Sequence, residues 1–487
     1  MIMLLRDKRW TALGVVLLGQ LMLILDATIV NVALPDIQHD LGFSQAGLTW
    51  IPGAYMVAFG SFLLLGGRLG DLIGRGRLFL VGTALFTAAS VACGAAASEE
   101  ALIAARFVQG LGAAVSASAV LALIVVEFPE PRERARAMSA YTFISVAGGS
   151  LGLLAGGVLT EALSWHWIFM VNLPIGVATI ALGVLALDRS PGVGLSRDVD
   201  VLGSILVTVA AMVAIAGIVG AEEHGLGSPR TLGSLVAGAV LLGAFLAYET
   251  RIANPILPVR VMRLRSLMVA CGVRALMVAG MWGIFFLGAL YFERVQGLSP
   301  TEAGAAFLPQ TLIVAALSLG PSARLSERYG PRRMLLGGMS VLVAALLLLA
   351  SSMQSGAAYF PTQVVAFALA GVGGGLSFMS LMTLALADVP KEDAGVASGI
   401  VNVSVQLAAA FGLAVLGTVA TSRTNELRSG GEQAVDALAG GYQLAFVLAA
   451  GSVLAGLVVA LRWLRPQPEP AVEAAGARLA VGGPSRR

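Results

Sequence analysis

Asp26 is the residue with the most unusual chemistry. It stands in Leu23-Ile24-Leu25-Asp26-Ala27-Thr28-Ile29-Val30-Asn31, within an apolar run over 11–34. An acid in hydrocarbon is costly, so acids at such depth usually face a cavity or a partner. Burial favours the neutral acid, and a neighbouring cation favours the carboxylate. A group poised between the two can take up and release a proton. The alternatives are a purely structural ion pair, or an acid reaching for the interface. Arg106, in the run 101–126, is the matching cation. Counted from the outer end of each run at about 1.5 Å per residue, Arg106 lies about 7 Å deep and Asp26 about 12 Å. These depths allow a direct pair or a water-linked relay, unless Arg106 merely snorkels outward. Gln109, one turn after Arg106, shares its face, and Asn31 follows Asp26 on the same run.

Other polar residues also fall inside apolar runs. Arg274 lies about seven residues into its run, and either reaches back to the interface or lines a cavity. Glu293, beside Arg294 at the end of that run, reads as a solvated loop carboxylate. Asn172, Gln310, Asn402 and Gln406 either line a cavity or bond a neighbouring helix. Gly148, Gly152 and Gly156 recur every four residues, with Gly157 adjacent. Such a face permits close backbone packing.

The chemistry that is missing narrows the function. No phosphate-binding Gly-x-x-x-x-Gly-Lys-Ser/Thr loop is present, so no ATP-driven step is expected. His39, His166 and His224 lack metal-ligand spacing, and no catalytic, metal or cofactor site is expected. Net charge is only +3, and the arginines sit in short clusters between apolar runs, which argues against a nucleic-acid partner. Cys93 and Cys271 each lie in an apolar run, so no disulfide scaffold is expected.

These residues must be positioned by helices in a bilayer. The 487 residues are 57% apolar and only 12% charged, with mean hydropathy +0.86. Soluble domains carry about 25% charged residues. The apolar runs are continuous, so helices and not barrel strands are expected. A crossing needs about 20 residues. Runs of that kind cover 11–34, 48–66, 78–97, 101–126, 137–160, 166–187, 201–219, 232–249, 267–291, 303–323, 334–352, 358–386, 396–420 and 441–463. Gly371 and Gly373 to Gly375 are expected to break the twelfth. The first run carries Asp26 and lacks a small-residue cleavage site, so it reads as a permanent span.

Fourteen spans place both termini on one side. Segments on that side hold 25 of the 31 Lys and Arg, the opposite segments four, and two lie within spans. The positive-inside rule makes the terminus side cytoplasmic. The expected layout is six, two and six. It comprises a bundle over 1–188, linkers and a two-helix hairpin over 189–265, a second bundle over 266–465, and a disordered cytoplasmic tail over 466–487. A weak repeat supports two bundles. Gly67 to Arg75 follows the second span of one set, and Ser322 to Arg333 the second span of the other.

Several segments together resemble the fourteen-helix drug:proton antiporter family of the Major Facilitator Superfamily. Leu25 to Pro35 is similar to that family's span-one signature. Gly67 to Arg77 is similar to the superfamily's loop between spans two and three, and Arg106-Phe107-Val108-Gln109-Gly110 to its span-four motif. Gly148 to Gly157 resembles the antiporter motif. Trp165 to Phe169 and Asn172 to Gly176 are typical of the fourteen-helix branch, and Asp393 to Gly399 resembles the start of span thirteen. The resemblance implies that Asp26 couples protons and substrate, with Arg106 in the proton relay. It implies that Gly67, Asp71, Gly74 and Arg75 form a cytoplasmic latch, and that the span-five glycines form a pliable seal. Two residues depart from the family pattern. Leu153 stands where that motif usually has Pro, and Leu72 where the loop usually has a basic residue.

The resulting expectation is a proton-coupled exporter in the plasma membrane, working by alternating access on lipophilic, often cationic, drugs or antibiotics. A dedicated exporter of one endogenous product is the near alternative. A membrane-embedded enzyme or sensor is the distant one, for which no catalytic cluster or signalling domain is visible. Arg outnumbers Lys 29 to 2, with abundant Ala and Gly, a usage typical of GC-rich bacterial genomes.

Overall fold

A computed structural model describes residues 8–44, 47–188, 200–220, 225, 227–252, 259–318, 320–385, 387–390 and 394–464. The expected tail, most of both linkers, Asp393, and the side chains of Asp71, Asn402 and Gln406 lie outside the described residues. Regular structure among the described residues is entirely helical.

The first set comprises α1 (Lys8–Ile29), a 3-10 turn Val30–Ala33, α2 (Leu34–Leu41), α3 (Trp50–Ile73), α4 (Arg75–Gly94), α5 (Glu99–Glu127), α6 (Pro131–Ala162), α7 (His166–Met170) and α8 (Asn172–Ala186). A hairpin follows, α9 (Val201–Val219) and α10 (Pro229–Glu249). After the short α11 (Val259–Met262), the second set comprises α12 (Arg265–Arg294), α13 (Pro300–Ala305), α14 (Leu308–Ser318), α15 (Pro321–Tyr329), α16 (Pro331–Ser352), α17 (Val364–Ala385), α18 (Ala394–Ser429) and α19 (Ala434–Trp463). Nine helical stretches among the described residues are long and apolar enough to cross a membrane, and three shorter helical segments are apolar.

Local chemistry fixes many boundaries. Proline opens α6, α10, α13, α15 and α16, where its missing N–H costs nothing. Ser98 and Ser228 cap α5 and α10 by accepting from Ala101 N and Thr231 N. Ser299 and Glu302 close a reciprocal capping box on α13.

The weak repeat has a backbone counterpart. Gly74 joins α3 to α4 at φ 96°, ψ 131°, and Gly330 joins α15 to α16 at φ 82°, ψ 145°. Each donates its N–H to the carbonyl four residues earlier, Gly70 or Ser326. Positive φ disfavours any side chain, which accounts for glycine at both joints.

The expected break at Gly371 to Gly375 is absent. α17 runs through these glycines, and the small residues serve packing instead. A Cβ on Gly371 would stand 2.6 Å from the Gln310 carbonyl, and one on Gly373 2.8 Å from that of Gly338. Glycine inside a lipid-embedded helix more often admits a neighbour than interrupts the ladder.

Within the first set, α1 packs on α5, α6 and α8, and α5 on α3 and α4. Within the second, α12 packs on α17, α18 and α19, and α16 on α17 and α19. The sets meet where α6 touches α13 and α14, and where α3 touches α18. α9 lies on both α3 and α18, while α10 packs on α9. Val236 and Val240 of α10 are more than 60% exposed, which leaves an apolar outer face.

Candidate functional site: an acid enclosed by the first helix set

Asp26 lies three residues before the end of α1 and is fully buried, as are Arg106 and Gln109 of α5. The Arg106 Nη1 donates to Asp26 Oδ2 at 2.6 Å and to Gln109 Oε1 at 2.6 Å. Gln109 Nε2 donates to Asp26 Oδ1 at 2.6 Å, and Asn172 Nδ2 of α8 donates to the same oxygen at 2.9 Å. Asp26 therefore accepts from three donors on three different residues. A carboxylate, which only accepts, suits that donor set.

The surroundings hold these groups in place. Gln109 Nε2 also donates to Ser90 Oγ of α4 at 2.7 Å, and Cys93 Sγ contacts Gln109 Oε1 at 3.5 Å. Arg106 Nε donates to the Ile51 carbonyl of α3 at 3.1 Å. The guanidinium carbon sits 4.6 Å from the centre of the Tyr55 ring and 5.6 Å from that of Phe169. Its Nη2 is buried without a hydrogen-bond partner, and the aromatic faces offset part of that deficit. The pair is neutral as a unit, which is how two charges persist in a dry interior.

The spacing of Arg106 and Gln109 on one helix face explains why both reach the same acid. Their depth match with Asp26 was visible in the sequence. Asn172, read as a cavity or inter-helix residue, takes the second role. Ser90, Cys93, Tyr55, Phe169 and the Ile51 carbonyl carried no motif that pointed to Asp26. Ser90 and Cys93, three residues apart on α4, share a helical face, and that spacing was the one available signal.

Asn31 does not join this network. It is buried in the 3-10 turn after α1, with Nδ2 unpartnered, where the turn packs against α6, α12 and α13. Gln310 is buried on α14, with Oε1 unpartnered. Arg274 lies on α12, apart from the Asp26 network.

The glycine face of α6 lies directly against α1 around Asp26. A Cβ on Gly148 would stand 3.0 Å from Ile24, one on Gly152 would overlap Thr28 Oγ1, and one on Gly156 would stand 2.7 Å from Val32. Gly157 points elsewhere, and a Cβ there would overlap the Pro300 carbonyl of α13. A Cβ on Gly304 of α13 would in turn stand 2.6 Å from the Leu153 carbonyl. Leu153 is fully buried, and α6 runs through it. α6 is thus clamped between the acid-bearing helix and the second set. Near the same end, Arg294 Nη2 donates to Gln38 Oε1 at 3.0 Å, which links α12 to α2.

At the expected latch, Gly67 is exposed, Gly74 forms the joint described above, and Arg75 opens α4.

The sequence model of the Major Facilitator Superfamily matches residues 16–297 and again residues 275–484. The chain belongs to the Major Facilitator Superfamily. It is 37% identical over 482 residues to the puromycin resistance protein pur8 of Streptomyces alboniger, covering 98% of this chain and 95% of that protein. It is 36% identical to the cephamycin export protein CmcT of Amycolatopsis lactamdurans, covering 85% and 86%. Its fold matches the crystal structure of the human organic anion transporter MFSD10 (TETRAN) with TM-score 0.66 at 17% identity, covering 93% of this chain and all of that one. As a superfamily member with multiple apolar helices, the protein is a multi-pass membrane transporter.

Proposed function

We propose that the protein is a proton-coupled efflux carrier for lipophilic antibiotic-like molecules, working by alternating access. Fourteen crossings with both termini in the cytoplasm fit the helix order and the 25-to-4 distribution of Lys and Arg. The helix sets before residue 188 and after residue 266 are the moving lobes, and substrate passes between them.

One observation carries the coupling: a fully buried acid paired with Arg106 and held by Gln109 and Asn172. A proton arriving at Asp26 removes the charge that Arg106 balances. It also weakens three hydrogen bonds at once. α1 then relaxes against the glycine face of α6. The other face of α6 bears on α13, so the change reaches the contact between lobes. Among the described residues, the hydrogen-bond partners of Asp26 all come from the first set, which favours a proton role over direct contact with substrate. Gly67, Asp71, Gly74 and Arg75 serve as the latch at the opposite end.

The test uses inverted membrane vesicles containing a pH-sensitive dye, energised and then offered puromycin or a cephamycin. Wild-type protein should release protons when substrate is added. Asp26→Asn should abolish both this response and uphill export while leaving expression intact. Export that survives in Asp26→Asn with its gradient dependence intact would overturn the coupling. The likeness to a cephamycin export protein favours a second reading, a carrier dedicated to one product. Resistance confined to a single compound in a drug panel would support it.

A further inference from the structure

The second intramembrane arginine differs from the first in one decisive respect. Arg106 has its acid, but Arg274 has none among the described residues. Arg274 stands nine residues into α12, about 14 Å from the start of that helix at about 1.5 Å per residue. Its Nη1 donates to the thioether of Met382 at 3.4 Å, and its guanidinium carbon lies 5.1 Å from the centre of the Phe378 ring. Tyr141 and Cys271 lie within electrostatic reach, and Ser404 lies beside Cys271. The Nε is buried with no hydrogen-bond partner.

The location is as telling as the chemistry. Tyr141 belongs to α6 of the first set. Phe378 and Met382 belong to α17, and Ser404 to α18, of the second set. Arg274 therefore sits where the two lobes face one another, on the route proposed for substrate. A guanidinium carries five donors, no acceptor and a permanent charge. Its described neighbours offer a thioether, a ring face, a hydroxyl and a thiol, and none of them is a carboxylate. A carboxylate or sulfonate would satisfy the planar fork and balance the charge. Asp26 is engaged elsewhere, by Arg106, Gln109 and Asn172 of the first set.

We propose that Arg274 binds an acidic group on the exported molecule, so that the carrier prefers lipophilic acids to lipophilic cations. This rests on the carrier reading and replaces the expectation of cationic cargo. Phe378 and Met382 supply the apolar wall beside the acid.

The test is equilibrium binding to the purified full-length protein in phosphatidylcholine nanodiscs, without a gradient. Dansyl-leucine and its methyl ester serve as probes, because they differ only in the acid. Wild-type protein should bind the acid more tightly than the ester, by about tenfold or more. Arg274→Gln should bring that ratio near one, and Arg274→Lys should restore part of it. A ratio near one in wild-type protein, no binding of the acid, or an unchanged ratio in Arg274→Gln would each overturn the site. The wild-type ratio alone decides the matter if Arg274→Gln fails to fold. Failure of the Asp26→Asn vesicle test would instead overturn the carrier reading, and this ratio would still be measurable.

Discussion

At the scale of single residues, Arg106 cannot be exchanged for another cation. It donates to Asp26, Gln109 and the Ile51 carbonyl from one planar group. A lysine ammonium has no such fork. Arg106→Lys should lower uphill export at least tenfold, measured as initial rate in vesicles, with protein levels near wild type. Arg106→Ala should be worse for the fold. Stripping one member from a buried ion pair costs about 3–5 kcal/mol, so a marked fall in thermal midpoint in detergent is expected, larger than that of Asp26→Asn. The acid and its cation were legible because depth along each helix can be counted from sequence. Ser90, Tyr55 and the Ile51 carbonyl were not, because their nearness depends on how α3 and α4 are rotated about their axes. The Ser90–Cys93 spacing marks a shared face of α4 but does not say which helix that face meets. Asn172 was visible as polar in an apolar run, but the acid it serves was not.

At the scale of elements, α6 has two separable faces. Gly152 and Gly156 admit α1, whereas Gly157 admits α13. Gly152→Val should therefore disturb the first set itself, lowering both yield and thermal midpoint. Gly157→Ala should leave the first set folded and act at the inter-lobe contact. Its expected signature is a near-normal midpoint with altered transport, read by thermal shift and vesicle assay on the same preparation. The four-residue glycine spacing foretold close packing but could not name the partners, and it gave no warning that Gly157 faces away from its neighbours. The opposite error arose at Gly371 to Gly375. Glycine weakens a helix in water, but in a bilayer the backbone has no competing water to bond, so α17 continues. Asp200 contributes at a third element: its Oδ1 caps α9 by accepting from Gly203 N at 2.8 Å. Asp200→Ala should cost about 1 kcal/mol, seen as a small drop in thermal midpoint with export retained.

At the scale of the whole molecule, alternating access requires the end where α2 meets α12 to open. Gln38 and Arg294 bridge the two sets there. Gln38→Cys with Arg294→Cys, joined by a short reducible thiol crosslinker, should halt export, and reductant should restore it. Unchanged export after full crosslinking would show that this end stays closed throughout the cycle. The weak sequence repeat has its counterpart in the Gly74 and Gly330 joints, whereas the seating of the hairpin was not readable, since neither of its helices carries a distinctive motif. α9 rests on one helix from each bundle, and α10 touches the rest of the protein mainly through α9. When the bundles swing, α9 must slip along at least one of its two supports, and α10 is carried with it like an outrigger. The surrounding lipid is then stirred by each turnover, so membrane viscosity should slow this carrier more than a version lacking the hairpin.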